Sequence, residues 1–131
     1  MLDLDAAIAY ITGRAESETS LDAISLIGYS FGSWVLTHQA IENEWVDNYV
    51  LIAPPLTFYD FAHLTAGNGG LTKPKLIIAG DSDTVCPIAE LEAFHSRLAD
   101  PKTLHVLAKT NHFLLRAEEK IVTFCQNFIE R

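Results

Sequence analysis

The sequence predicts an α/β domain, a parallel sheet of about four strands with helices on both faces. Three observations predict it. Apolar runs of strand length stand at 23–28, 48–53, 75–79 and 102–107. Segments with helical spacing alternate with them. The runs read as apolar on both faces, as strands do in a parallel sheet covered by helices.

A helix over 3–14 comes first, with Leu4, Ala7, Ile8 and Ile11 at helical spacing. Asp3 and Asp5 stand where a helix dipole favours negative charge. Strand 23–28 (Ala-Ile-Ser-Leu-Ile-Gly) leads into a helix over 31–43 that carries Trp34, Val35 and Ile41. Strand 48–53 is halted by Pro54-Pro55, which cannot continue a ladder. Residues 56–72 are irregular, holding Phe58, Tyr59 and Phe61 and then a Gly67-Asn68-Gly69-Gly70 break. Strand 75–79 is followed by a helix over 87–99. Pro87 takes a first helical position there, and Ile88, Leu91, Phe94 and Leu98 form one stripe. Strand 102–107 and a closing helix over 116–130, with Ile121, Phe124, Cys125 and Phe128 on one side, complete the chain.

The bulk properties narrow the function. With 131 residues, 49% of them apolar, the chain suits one domain over 1–131 around one core. A net charge of −8 repels phosphate backbones and anionic lipid, so neither nucleic acid nor a membrane surface is expected as partner. No apolar run approaches the roughly 20 residues that span a bilayer. Met1-Leu2-Asp3-Leu4-Asp5 lacks the basic start of a secretory leader, and a cytoplasmic location is the expectation. Cys86 and Cys125 form no CxxC and join no histidine cluster. They read as free thiols, and no metal is expected.

In parallel sheets ligands bind beyond the carboxyl ends of the strands, so the site is sought after residues 28, 53, 79 and 107. Gly28-Tyr29-Ser30-Phe31-Gly32 follows the first strand and opens a helix. A serine on such a turn is held exposed and strained, and small residues at 28 and 32 let the turn pass its neighbours. Alone, the pattern equally describes a Gly-rich turn with a capping serine. The N–H of Phe31, at the helix start, is the expected oxyanion donor.

Ser30 needs a base, and the base needs an orienting acid. His38 and His95 fall in helices and His105 in a strand, as surface or satisfied core residues. His63 lies in the irregular segment and could border the pocket. His112, in Lys109-Thr110-Asn111-His112-Phe113, lies just past a strand's carboxyl end. Gly80-Asp81-Ser82-Asp83-Thr84-Val85-Cys86-Pro87 offers two acids after the preceding strand. Asp83 is preferred because it sits deeper in the loop, and Asp81 competes as a loop cap.

Taken together, Gly28-Tyr29-Ser30-Phe31-Gly32, Gly80-x-x-Asp83-x-x-x-Pro87 and Asn111-His112-Phe113, in the order Ser, Asp, His, resemble the α/β-hydrolase superfamily. Ala53-Pro54-Pro55 and the late His-Phe make the dienelactone-hydrolase-like bacterial branch the nearest likeness. The resemblance covers residues 3–130. It implies the C-terminal part of an α/β-hydrolase fold with a Ser30–His112–Asp83 triad. It also implies four earlier strands that are missing here, together with the loop that supplies the second oxyanion donor.

The expected activity is that of an esterase or lipase-type serine hydrolase acting on small carboxylic esters or thioesters, with no cofactor. Tyr29, Phe58, Tyr59 and Phe61 are its candidate substrate-binding residues. The last three either line an acyl pocket, with 56–72 as a small lid, or pack beneath a loop. Without the early strands, strand 23–28 becomes an apolar edge, and a homo-oligomer covering it is expected. The competing readings are a non-catalytic scaffold or binding module and an acyltransferase that uses the same triad.

Overall fold

The computed structural model describes residues 2–18, 21–39, 41–65, 67 and 70–130. Its elements are α1 (Leu2–Glu18), β1 (Ile24–Tyr29), α2 (Phe31–Gln39), β2 (Val46–Ile52), a 3-10 turn (Ala62–Leu64), β3 (Lys75–Gly80), α3 (Ile88–Arg97), β4 (Lys102–Leu107) and α4 (Glu118–Ile129). The four strands form one parallel sheet in the order β1-β2-β3-β4. The architecture is therefore the α/β arrangement the sequence predicts.

Alternation along each strand builds two cores. Tyr49, Leu51, Ile77 and Ala79 face Ile8 of α1, Leu36 of α2, and Leu91 and Phe94 of α3. Val50, Ile52, Leu76 and Ile78 face Cys125 and Phe128 of α4. One sheet face thus carries three helices and the other carries one. Burial of each such aliphatic side chain contributes about 1.5–3 kcal/mol. Among the described residues, no helix is long and apolar enough to cross a membrane.

The strands end level with one another. Tyr29 pairs with Ile52, Ile52 with Ile78, and Ile78 with His105. The loops that follow β1, β2, β3 and β4 therefore open at the same edge of the sheet, which is where the site residues lie.

Local backbone chemistry moves several predicted boundaries. Strand β2 ends at Ile52, before the prolines, because Ala53 takes a left-handed conformation (φ 48°). Helix α4 starts at Glu118, not 116, because Arg116 is also left-handed (φ 64°). Helix α1 runs on to Glu18. Two residues of the Gly67–Gly70 break, Asn68 and Gly69, lie outside the described residues. The reading of strands as apolar on both faces holds for β3, which is buried throughout, but not for β1. There only Gly28 is buried and Ile27 is 50% exposed. Strand β1 is an edge strand, as expected from the sequence, and β4 forms the other edge.

The described residues of segment 56–72 are docked rather than free. Phe61, Leu64 and Leu71 are buried, Leu71 N–H donates to Leu64 O (3.1 Å), and Thr57 N–H donates to Val85 O (3.3 Å). Of the two readings, this packing fits rings held beneath a loop better than a small lid.

Candidate functional site

Ser30 is the single residue between β1 and α2 and has φ 49°. A non-glycine residue in this region costs about 1–3 kcal/mol, held here by the structure around it. Its N–H donates to Ile52 O (2.8 Å), and its own carbonyl accepts from Ser33 N–H (2.9 Å) and Ser33 Oγ (2.6 Å). Gly28 makes the turn possible: a Cβ there would lie 2.7 Å from the Gly32 carbonyl and would also strike Leu36. The clearance expected at Gly32 itself is not needed, since a Cβ at that position meets nothing within 4 Å. The tight approach is made by residue 28 against the helix start.

Across the sheet edge, Ser30 Oγ lies 2.9 Å from His112 Nε2, and His112 Nδ1 lies 2.8 Å from Asp83 Oδ2. A neutral imidazole with its proton on Nδ1 donates to Asp83 and presents Nε2 as acceptor to the Ser30 hydroxyl. Asp83 is buried, and its other oxygen accepts the Val85 and Cys86 N–H groups, each at 2.8 Å. Asp81 is exposed, its carboxylate accepting from Ser82 Oγ (2.9 Å). The two loops are tied together as well. Ser82 N–H donates to Thr110 O (3.0 Å), and a Cβ on Gly80 would run into the Thr110 carbonyl.

Phe31 opens α2, so its N–H belongs to the first turn, which finds no acceptor within the helix. Together with the helix dipole, that places a donor beside Ser30.

The predicted substrate residues separate. Phe58, Tyr59 and Phe61 border one cavity of about 480 Å³, shared with Ala93, Phe94 and Arg97. Phe58 is exposed, whereas Phe61 is 3% exposed and packs edge-on to Phe94, so its ring is core beneath the loop. Tyr29 turns toward the base: its Oη donates to His112 O (2.8 Å), and its ring stacks on the imidazole (5.7 Å between centroids). Burial, and then the Asp83 charge, raise its phenol above the ordinary tyrosine value.

The sequence did not single out the ring cluster of Phe31, Trp34 and Tyr59, with centroids 5.0–5.9 Å apart. The i, i+3 spacing of Phe31 and Trp34 on α2 was the available signal.

The other histidines stand apart. His63 stacks on His38 (3.9 Å) and borders a different cavity of about 360 Å³, with Ile41, Leu71 and Lys73. His105 stacks on Phe124. His63 and His95 each have a buried Nε2 with no hydrogen-bond partner among the described residues, so of the two expectations for His95, surface or satisfied core, the second does not hold. Cys86 and Cys125 are free and buried, and burial pushes the Cys86 thiol up to about 12.

Solved structures with a similar fold exist. An α/β serine hydrolase homologue from Coxiella burnetii matches at 30% identity and TM-score 0.73, over 92% of this chain and 56% of its own. The chain has the α/β-hydrolase fold. A serine hydrolase without lid from Xanthomonas campestris matches at 24% identity and TM-score 0.73, over 95% of this chain and 54% of its own. An esterase from Pyrococcus furiosus matches at 19% identity and TM-score 0.77, over 99% and 61%. The latter two likenesses bear on the fold alone. The chain thus spans between 54% and 61% of the length of these solved structures. No family model and no curated protein matches it.

Proposed function

We propose that the chain is a serine hydrolase cleaving small carboxylic esters or thioesters through an acyl-enzyme. The observation that carries this is the hydrogen-bonded path Ser30–His112–Asp83, at 2.9 and 2.8 Å, starting from a serine strained at the head of a helix. Ser30 Oγ attacks the ester carbonyl while His112 Nε2 takes its proton. The Phe31 N–H faces the developing oxyanion. His112 returns the proton to the leaving alcohol or thiol, and water then releases the acid by the same steps in reverse. Asp83 holds the imidazole in the tautomer this requires.

The motif likeness to the dienelactone-hydrolase-like branch and the likeness to the Coxiella serine hydrolase homologue support the reading. Removing one oxyanion donor costs on the order of 10²–10³ in rate, so the Phe31 N–H carries a share of that size in the proposed turnover. A second copy of the chain seated on the half-exposed β1 edge belongs to the same proposal.

The test is turnover of p-nitrophenyl acetate and butyrate by wild type and Ser30→Ala. The variant is expected to lose activity, and equal rates would remove the assignment. The competing reading is a non-catalytic binding module. A fluorophosphonate probe separates the two, since an activated Ser30 is labelled and an idle one is not.

A further inference from the structure

We propose that Tyr29 is a positioning residue for the base, its phenol holding the His112 main chain over Ser30. This rests on the hydrolase reading for its kinetic consequence, but not for its geometry. Tyr29 is the last residue of β1 and the immediate neighbour of Ser30, so whatever it grips is fixed relative to the nucleophile. It grips His112, 83 positions away, twice: Oη donates to the carbonyl at 2.8 Å, and the ring lies against the imidazole with planes 30° apart.

The loop that bears His112 has reason to need holding. Lys109 (φ 53°) and Leu114 (φ 57°) are left-handed residues on either side of it. Asp83 fixes one ring nitrogen, and Ser82 fixes Thr110. Neither bond reaches the main chain of His112 itself. Tyr29 does, and it does so from the side of the serine. A phenol raised above its ordinary value stays protonated and therefore remains a donor.

The competing role is contact with substrate. Tyr29 is 46% exposed and borders a cavity of about 310 Å³ with Ile52, Phe113 and Val122. The two roles differ in what they change. A substrate contact made equally in ground and transition states appears in KM, whereas a misplaced base appears in kcat.

Tyr29→Phe decides between them, because it keeps the ring and its stacking and removes only the donor. With p-nitrophenyl acetate, kcat is expected to fall about tenfold with KM within about twofold. Proton NMR gives a readout that needs no turnover. The His112 Nδ1 proton shared with Asp83 should exchange slowly in wild type and faster in Tyr29→Phe. A loss carried by KM, an unchanged kcat or an unchanged exchange rate overturns the proposal. Ser30→Ala, run alongside, keeps the two questions apart. If it retains wild-type turnover, the hydrolase reading fails and the exchange rate alone judges Tyr29. If it is inactive while Tyr29→Phe matches wild type in both readouts, only the Tyr29 proposal fails.

Discussion

Strands β3 and β1 belong to one sheet and each delivers a residue to the site, yet their surroundings are opposite. Strand β3 is buried at every residue, pairs on both sides and lies between helices on both faces. It leads to Asp83. Strand β1 pairs on one side only, is buried only at Gly28, and leads to Ser30. The acid thus follows a strand confined on every side, and the nucleophile follows an edge strand. Strain at Ser30 is held less by depth than by specific contacts: Gly28 against Gly32, Ser30 N–H on Ile52, and Tyr29 on His112.

Four changes would break or sharpen this contrast. Asp83→Asn tests the chemical end of β3. It preserves shape but disfavours the working tautomer of His112, and kcat is expected to fall by roughly 10⁴ in ester assays. Ile77→Ala tests the strand itself. Its side chain is fully buried, so urea unfolding should show a loss of about 2–5 kcal/mol.

The layer covering β2 and β3 should also carry a pH dependence. Burial, the leading cause, lowers the proton affinity of His63 and His95 in the folded chain. The unfolded chain therefore takes up protons first as pH falls below about 6.5. The contribution to stability is complete above that value and declines below it until the folded rings are themselves protonated. Urea midpoints measured from about pH 7 to about pH 5 should fall, and His63→Phe should flatten the slope.

The smallest expected effect on stability is at β1. Ile27→Lys is half exposed and should alter unfolding by less than about 1 kcal/mol, while light scattering should show association through the edge weakened. A loss from Ile27→Lys as large as that from Ile77→Ala would erase the contrast.

Much of this was legible in the residues, for identifiable reasons. Each strand is a short apolar run followed by a turn, and each helix has an apolar stripe, so the order of elements could be read. Ser30, Asp83 and His112 could be located because a parallel sheet gathers its functional loops at one edge. Hidden features were those set by tertiary contact. Nothing local marks Ala53, Lys109, Leu114 or Arg116 as left-handed, although each is. Phe61 and Phe58 lie three apart in an irregular segment, and only the packing of Phe94 decides which of them is core. The grip of Tyr29 on His112 spans 83 positions, and no pattern along the chain encodes it.

The meeting of Gly80 with the Thr110 carbonyl has a consequence for anyone wishing to retune the chain. With no room between them, the acid-bearing and base-bearing loops behave as one casting. Enlarging the cleft by editing either loop alone would shear the imidazole from its carboxylate partner. Redesign has to move both as a unit, or leave them untouched and work on the aromatic wall of Phe31, Trp34 and Tyr59 instead.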